Sequence, residues 1–150
     1  MKKIIKTLCL LLITLGSIHS VKAQSIAHKD SLNILVKTYY DLNLKVFQSD
    51  STPLDIENIF NLFTKDFTYI HPKYGGLYIR EVLYKGYLRN QKNGRYDGDI
   101  TKIKIINRIV GLNSVVVSRR YFTKKEGEGE LKMTLFEFKE GKISKIFEYW

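Results

Sequence analysis

His71 is the residue in this chain whose chemistry most directly suits proton transfer at neutral pH. It stands directly before Pro72, at the end of an aromatic-rich run, residues 67–71, whose weak alternation predicts a short β-strand. An imidazole has an ordinary pKa near 6.5, so His71 could accept or release a proton under physiological conditions. The same position also suits a histidine that is only hydrogen-bonded at the rim of a pocket. Both interpretations remain open.

Arg119 and Glu137 are the charged residues that could orient a polar ligand. Each interrupts an alternating apolar pattern, in residues 114–123 and 131–139. If both side chains point inward, they could form a buried ion pair, or Arg119 could bind a carboxylate of the ligand. The alternative is a cross-strand ion pair on the solvent side of the sheet, which would contribute little to stability.

The chain is rich in aromatic residues, with 10 Tyr, 8 Phe and 1 Trp. Grouped around the mouth of a pocket, such side chains would suit a flat apolar, aromatic or sugar-like ligand. Taken singly, most of them are large core residues. We predict that the ligand-binding residues are Tyr69, Tyr74, Arg119, Glu137, Tyr149 and Trp150.

The sequence lacks the patterns of the common metal, cofactor and nucleic-acid sites. After residue 23 it has no cysteine and only two histidines, His28 and His71, and no acidic residue stands at ligand spacing from His71. It has no phosphate-binding loop, no dinucleotide fingerprint and no serine nucleophile motif. The basic residues are scattered, with no run of five or six. We therefore predict no metal, no cofactor and no nucleic-acid partner.

The elements that position these residues are predicted to be helical in the first half of the chain. Apolar residues recur with a period near 3.6 across residues 26–47, which predicts a first helix. A second helix is predicted to begin after Thr52, as N-cap, with Pro53 at its first position. Residues 78–92 are predicted to form a third helix, which ends at the Asn-Gly pair that follows.

The second half of the chain is predicted to be β-sheet. Four runs rich in β-branched and aromatic residues are joined by short turns, so successive strands should pair as antiparallel neighbours. Helices followed by a run of antiparallel strands indicate the α+β class. The predicted strands are residues 99–110, 114–123, 131–139 and 142–150.

This order of elements resembles the nuclear transport factor 2-like superfamily, in its SnoaL-like branch. The likeness is carried by Tyr-Tyr-Asp at 39–41, by LFTKDFTYIHP at 62–72, by the Gly75-Gly76 turn and by GKISKIFEYW at 141–150, and it covers residues 26–150. It implies a cone-shaped, curved antiparallel sheet wrapped by three N-terminal helices (a cystatin-like roll). It also implies one pocket and a homodimer formed through the sheet. Isomerases, dehydratases, cyclases, binding proteins and association modules share this superfamily, so the resemblance does not select an activity.

The resemblance also suggests roles for individual residues. In the ketosteroid isomerases of this superfamily, the first strand ends in an acidic residue followed by proline, and that acid is the general base. His71 and Pro72 occupy the matching positions here, which departs from the acid. Those relatives also have a tyrosine on the first helix that donates a hydrogen bond to a developing oxyanion. Tyr39 and Tyr40 both match that tyrosine, and only one is expected to face the pocket, unless both are core residues.

Residues 1–23 have the pattern of a secretory signal peptide. Three lysines in the first six residues precede an apolar run, residues 7–16, that contains Cys9, and Ala23 stands at the expected cleavage site. The run is shorter than the roughly 20 residues that a membrane-spanning helix needs. We therefore predict cleavage near Ala23, export to the periplasm or the medium, and a single domain over residues 24–150 without a membrane span. Removing the leader's four lysines would lower the formal net charge from +10 to +6.

Three functions are compatible with these patterns. The leading hypothesis is an exported protein that binds a small apolar or aromatic molecule in its pocket, without established catalysis. The first alternative is an isomerase or dehydratase that uses His71 in general acid–base chemistry. The second is a homodimeric association module whose pocket is vestigial.

Overall fold

The computed structural model describes residues 26–150. The predicted signal peptide, its cleavage site near Ala23 and Cys9 lie outside these residues. The chain divides into two compact units, of which the first ends at Ser31 and the second is Leu32–Trp150. In the first unit, residues 26–31 are helical, and the Ser31 hydroxyl donates a hydrogen bond to the backbone carbonyl of His28 at 2.7 Å.

The described residues contain three α-helices and a seven-stranded sheet. The helices are α1 (residues 26–46), α2 (Pro53–Phe60) and α3 (Arg80–Lys92). The strands are β1 (Phe63–His71), β2 (Gly76–Ile79), β3 (Ile100–Val110), β4 (Ser114–Thr123), β5 (Gly127–Glu128), β6 (Lys132–Lys139) and β7 (Lys142–Glu148). The predicted α+β class is confirmed, whereas the cone shape and the wrapping of the sheet by the helices stay predictions.

The sheet is mixed, with the order β2-β1-β7-β6-β4-β3, and β5 pairs with β4. The antiparallel pairing predicted for the four long strands is confirmed in β3–β4, β4–β6 and β6–β7. The expectation of a wholly antiparallel sheet is wrong, because β1 lies parallel to β7, with Tyr69 opposite Ile146. This parallel pair places the end of β1, which carries His71, beside the end of β7.

A capping box begins α2, as the sequence predicts. The Thr52 hydroxyl accepts a hydrogen bond from the Asp55 backbone N–H, and the Asp55 carboxylate accepts one from the Thr52 backbone N–H at 2.8 Å. Pro53 occupies the first helical position, where its missing N–H costs nothing. Lys45 of α1 reaches the buried Asp55 carboxylate at 2.7 Å, which joins the end of α1 to the start of α2.

The segment after β1 differs from the prediction. Pro72–Tyr74 form a short 3-10 helix, and Gly75 adopts a left-handed conformation with φ of 106°. Gly76–Ile79 then return antiparallel to β1, with Tyr78 opposite Tyr69. The third helix therefore begins at Arg80, two residues later than predicted, because Tyr78 and Ile79 are held in β2.

The core lies between the helices and one face of the sheet. Within Leu32–Trp150, Phe60 of α2 packs edge-on against Tyr84 and Tyr87 of α3, and Phe63 stacks on Phe67 with ring centroids 3.9 Å apart. Burying each such ring stabilises the fold by roughly 1.5–3 kcal/mol. The inward residues of the sheet include Val115, Val117, Phe136, Ile143 and Ile146. No helix within residues 26–150 has both the length and the apolar character needed to cross a membrane.

Candidate functional site

A cavity of about 590 Å³ lies within the Leu32–Trp150 unit. Half of its lining residues are tyrosine, phenylalanine or tryptophan, and the remainder includes two asparagines, one histidine, one arginine, one lysine and one glutamate. Volumes of this order hold small-molecule ligands in other proteins. The lining residues come from α1, α3, the sheet and the segments next to them: Tyr39, Asn43, Phe47, Tyr69, His71, Tyr74, Tyr78, Leu83, Tyr87, Asn90, Tyr96, Ile100, Arg119, Tyr121, Thr123, Lys132, Glu148 and Trp150.

Arg119 and Glu148 form a buried ion pair at one side of the cavity. Arg119 Nη2 lies 3.2 and 3.1 Å from the two carboxylate oxygens, and both side chains are almost fully buried. Arg119 Nη1 donates to the Thr134 hydroxyl, which in turn donates to Glu148 Oε2 at 2.7 Å. Glu148 Oε2 also accepts a hydrogen bond from Trp150 Nε1 at 2.7 Å. The network therefore fixes the orientation of the Trp150 ring.

The guanidinium of Arg119 lies between two tyrosine rings. Its central carbon is 5.4 Å from the ring centre of Tyr40 and 5.0 Å from that of Tyr121, within the range of cation–π attraction. Arg119 Nε also donates to the Tyr121 hydroxyl at 3.3 Å. Burial alone would lower the pKa of Arg119, but the neighbouring Tyr121, Tyr40 and Glu148 outweigh it and keep the guanidinium charged.

His71 lines the cavity without a hydrogen-bond partner. Its side chain is 2% exposed, and neither ring nitrogen has a partner among the described residues. Its ring centre lies 4.4 Å from that of Tyr74 and 4.5 Å from that of Trp150. Burial lowers the pKa of His71, an effect that the carboxylate of Glu148 opposes. A neutral, unpartnered imidazole can accept a proton or a hydrogen bond from a bound molecule.

The two adjacent tyrosines of α1 are both buried, but they have different surroundings. Tyr39 lines the cavity, whereas Tyr40 is not part of the lining and packs against Arg119 and Phe136. Burial, followed by the neighbouring Tyr87 and Tyr69, raises the pKa of Tyr39 well above its ordinary value. Tyr39 therefore keeps its proton and can donate a hydrogen bond into the cavity.

Lys132 brings a second positive charge to the lining. Its ammonium nitrogen lies 3.5 Å from the ring centre of Trp150 and 5.8 Å from that of Tyr121. Burial, followed by the positive charge of Arg119, lowers the pKa of Lys132. Lys132 and His71 thus both contact Trp150, which brings a cation and a neutral base to the same ring.

Several solved structures are similar to this chain at low sequence identity. A protein of unknown function from Burkholderia xenovorans, described as NTF-2 like, shares 13% identity over 81% of this chain and 84% of its own, with a TM-score of 0.57. A proposed ketosteroid isomerase from Kribbella flavida shares 16% identity over 81% of this chain and 78% of its own, with a TM-score of 0.58. The chain has the nuclear transport factor 2-like fold.

A third solved structure, from Catenulispora acidiphila, has a ketosteroid isomerase-like fold and is in complex with trimethylamine. It shares 16% identity over 77% of this chain and 84% of its own, with a TM-score of 0.53. No protein-family model and no curated protein matches the sequence. The nuclear transport factor 2-like fold is therefore shown by structural similarity, while the SnoaL-like branch stays a prediction.

Within the nuclear transport factor 2-like fold, most of the predicted site residues share the cavity wall. The predicted residues that line it are His71, Tyr39, Tyr69, Tyr74, Arg119 and Trp150. Their catalytic and binding roles stay predictions. Tyr39 and Tyr40 are both buried, and of the two only Tyr39 lines the cavity, in line with the expectation that one tyrosine of α1 faces the pocket.

Two predicted binding residues lie away from the cavity. Glu137 is paired with Lys145 at 2.8 Å, on the face of β6 opposite the buried Thr134 and Phe136, so the predicted Arg119–Glu137 pair does not form. Tyr149 is exposed and stacks on Phe147 with ring centres 4.2 Å apart. Consecutive residues of an extended chain point to opposite sides, which is why Trp150 reaches the cavity and Tyr149 does not.

Glu148, Lys132 and Asn43 belong to the site but were not predicted from the sequence. The Asn43 side-chain oxygen is buried, has no hydrogen-bond partner among the described residues and lies at the cavity. Asn43 stands one helical turn after Tyr39, so its position on the same face of α1 could have identified it. Lys132 alternates with Thr134 along β6, and it could have been found once the inner face of that strand was known.

Proposed function

We propose that this protein binds a small molecule in the cavity, as the leading sequence hypothesis predicts. The supporting observation is that two residues of the cavity wall carry buried polar atoms without hydrogen-bond partners among the described residues: both ring nitrogens of His71 and the side-chain oxygen of Asn43. A buried polar atom without a partner costs about 1–3 kcal/mol. A ligand with matching donors and acceptors would recover that cost, and the rings would bury its apolar surface.

Native mass spectrometry tests this proposal directly. The protein is purified without added ligand, and its native mass is compared with the mass of the same sample after denaturation. We expect a small-molecule increment that is present in the native sample and lost on denaturation. The mass of the released compound then identifies the ligand.

Two tryptophan substitutions on α3 provide a matched control. Leu83 lines the cavity, whereas its neighbour Val82 is 51% exposed. Leu83→Trp should fill part of the cavity and reduce the ligand increment, while Val82→Trp should leave it unchanged. Circular dichroism and thermal unfolding establish that both variants are folded. An increment that Leu83→Trp leaves intact would place the ligand elsewhere, and the absence of any increment would favour the association-module hypothesis.

General acid–base catalysis is the second candidate function, and His71 is the observation that favours it. A neutral imidazole at the cavity could take a proton from a carbon acid, while the Tyr39 hydroxyl donates a hydrogen bond to the enolate oxygen that develops. The similarity to a proposed ketosteroid isomerase is consistent with this chemistry. The isomerases have an acidic residue at the position of His71, so the base in this protein would be a histidine.

Proton–deuterium exchange provides the test for catalysis. The protein is incubated with 2-acetonaphthone in deuterated buffer, and exchange at the methyl group next to the carbonyl is followed by NMR. A His71-dependent reaction should slow by roughly 100-fold or more in His71→Gln. If the original protein binds the ketone but exchange proceeds at the uncatalysed rate, catalysis on this ketone is rejected. The binding proposal would then remain intact.

We also propose a homodimer formed through the outer face of the sheet. Ile109, Val116, Leu135 and Phe147 lie side by side across β3, β4, β6 and β7, and Tyr149 stacks on Phe147. An apolar row of this kind suits a partner surface, and a stable interface would need about 1,000 Å² in total. Sedimentation analysis of the protein and of an Ile109→Lys variant tests it, with loss of the dimer expected in the variant.

Export to the periplasm or the medium is a further part of the proposal. It is supported by the charged start, the short apolar run and the small residue at position 23. N-terminal sequencing of the protein recovered from the periplasm of a Gram-negative host tests it. Gln24 is expected as the first residue, and full-length protein retained in the cytoplasm would contradict the prediction.

A further inference from the structure

Resting on the proposed binding function, we propose that the ligand is a monoanion with an aromatic body, whose carboxylate or equivalent acidic group pairs with Lys132. The proposal comes from the distribution of charge in the cavity wall. It selects one cation for the ligand and excludes the arginine that the sequence analysis considered for that role.

Each nitrogen of Arg119 already donates a hydrogen bond within the protein. Its Nε donates to Tyr121, its Nη1 to Thr134 and its Nη2 to Glu148. Its charge is compensated by Glu148, which also accepts hydrogen bonds from Thr134 and Trp150. Recruiting Arg119 to a ligand would break a buried ion pair and leave Glu148 uncompensated, which is unfavourable.

Lys132, unlike Arg119, has a charge that no described residue pairs with. No described residue forms an ion pair or a hydrogen bond with its ammonium group, and the carboxylates of Glu130 and Glu148 act on it only through longer-range electrostatics. Contact with the Trp150 ring holds the ammonium at the cavity wall. A half-buried ammonium without an anionic partner carries a desolvation cost that a bound anion would offset.

The net charge of the wall points the same way. The charged lining residues are Arg119, Lys132 and Glu148, so the wall carries one net positive charge when His71 is neutral. Lys73 adds a further positive charge near His71 and Lys132. A monoanion would neutralise the wall, whereas a cation would meet repulsion inside a poorly solvated cavity.

The aromatic wall determines the rest of the ligand. The Trp150 ring contacts both Lys132 and His71, and Tyr39, Tyr69 and other rings continue the wall. An anionic group at Lys132 therefore places the neighbouring part of the ligand against His71. A flat ring system attached to the acid would stack on the remaining aromatic side chains.

Three probes with one ring system separate charge from shape. The probes are 2-naphthylacetate, 2-(2-naphthyl)ethanol and 2-(2-naphthyl)ethylammonium, which are anionic, neutral and cationic at pH near 7.5. Isothermal titration calorimetry with the full protein should give the tightest binding for the acetate, about tenfold tighter than for the alcohol, and the weakest for the ammonium. Added salt should weaken acetate binding more than alcohol binding.

Two lysine substitutions complete the test. Lys132→Gln should weaken the acetate about tenfold and leave the alcohol unchanged, because only the charge contact is lost. Lys104→Gln removes the same charge from an exposed position on β3 outside the lining, and it should change neither affinity.

The outcomes separate the inference from the proposal on which it rests. Binding of the alcohol or the ammonium as tightly as the acetate would overturn the inference but support the binding function. An acetate preference that survives Lys132→Gln would also overturn it. Failure of all three probes to bind would overturn the inference and count against the binding function as well.

Discussion

The side chains of Arg119 and Glu148 form a buried ion pair that spans three strands of the sheet. Arg119 lies on β4 and Glu148 at the end of β7, and Thr134 of the intervening β6 is hydrogen-bonded to both. Val117 is opposite Thr134, and Thr134 is opposite Glu148, so the register of two strand pairs brings the charges together. The position of this pair in the cavity wall therefore depends on the register of the β4–β6 and β6–β7 strand pairs.

Glu148→Gln should destabilise the protein substantially. The substitution keeps the shape of the side chain but leaves the charge of Arg119 buried without compensation, which typically costs about 3–5 kcal/mol. Glu137→Gln is the matched control, because Glu137 pairs with Lys145 at a partly exposed position and such a pair contributes about 0–1 kcal/mol. Urea denaturation of the three proteins gives the free energies of unfolding. An equal decrease in the free energy of unfolding in the two variants would show that the buried pair stabilises the fold no more than the exposed pair does.

The stability of the fold should fall as the pH drops below about 6.5, in part because of His71. Burial lowers the folded-state pKa of His71, with Lys132 and Lys73 acting in the same direction and Glu148 opposing. The unfolded chain therefore binds a proton at a higher pH than the folded one. The contribution of His71 is complete above the unfolded pKa and is lost as the pH falls towards the folded pKa.

His71→Gln is the variant that isolates this contribution. Unfolding free energies measured by urea denaturation at pH near 7 and near 5 should differ less in His71→Gln than in the original protein. Asp55 and Asp66 have pKa values lowered below the ordinary carboxylate range, so they titrate at more acidic pH in both proteins. The same loss of stability in both proteins would mean that His71 is not held neutral by its surroundings.

Local features of this fold could be predicted from the sequence, because their causes are local. Thr52 and Pro53 determine the start of α2 through one capping box. The bounds of β4 follow from an alternating run between two turns, and they agree with the prediction at both ends. By contrast, the parallel pairing of β1 with β7 joins residues that are far apart in the sequence, such as Tyr69 and Ile146. No local pattern specifies such a pairing.

The same distinction explains the candidate site. Alternation in β4 places Arg119 with the buried Val115 and Val117, so its inward direction could be predicted. Its partner could not, because partner choice depends on the register between strands. The pairing of β6 with β7 shifts between Glu137 and Phe138, and this irregularity interrupts the alternation that leads to Glu148.

Gly75→Ala and Gly86→Ala should change stability in opposite directions. Gly75 has φ of 106°, and an added Cβ would lie 3.2 Å from the Tyr78 hydroxyl. We expect a loss of about 1 kcal/mol at Gly75, because an L-residue is strained there. Gly86 lies within α3 with open space around it, so alanine should stabilise the helix by about 0.4–1 kcal/mol.

Thermal and urea unfolding of both glycine variants provide the measurement. Gly75 precedes β2, which carries Tyr78, and it follows Tyr74, and both tyrosines line the cavity. The Gly75 variant should therefore also weaken the binding of an aromatic probe such as 2-naphthylacetate, whereas the Gly86 variant should not. A Gly75 variant as stable as the original protein would show that the turn tolerates another conformation.

Tyr39→Phe and Tyr40→Phe make the same chemical change at neighbouring positions, and they should have different effects on binding. Tyr39 lines the cavity and remains protonated, so its hydroxyl can donate to a carbonyl oxygen of the ligand. Loss of that hydrogen bond should weaken 2-acetonaphthone binding by about 0.5–1.5 kcal/mol, measured by calorimetry. The Tyr40 hydroxyl is buried without a partner among the described residues and lies outside the lining. Tyr40→Phe should therefore leave ketone binding unchanged.

The stability of the two tyrosine variants provides an independent check. Removing the unpaired hydroxyl of Tyr40 should leave the free energy of unfolding the same or slightly higher, because a buried polar atom without a partner is lost. The Tyr40 ring, which packs on the Arg119 guanidinium, is retained in Tyr40→Phe. Weaker ketone binding in Tyr40→Phe but not in Tyr39→Phe would reverse the assignment of the oxyanion donor. It would also mean that α1 presents a different face to a bound ligand than it does in this structure.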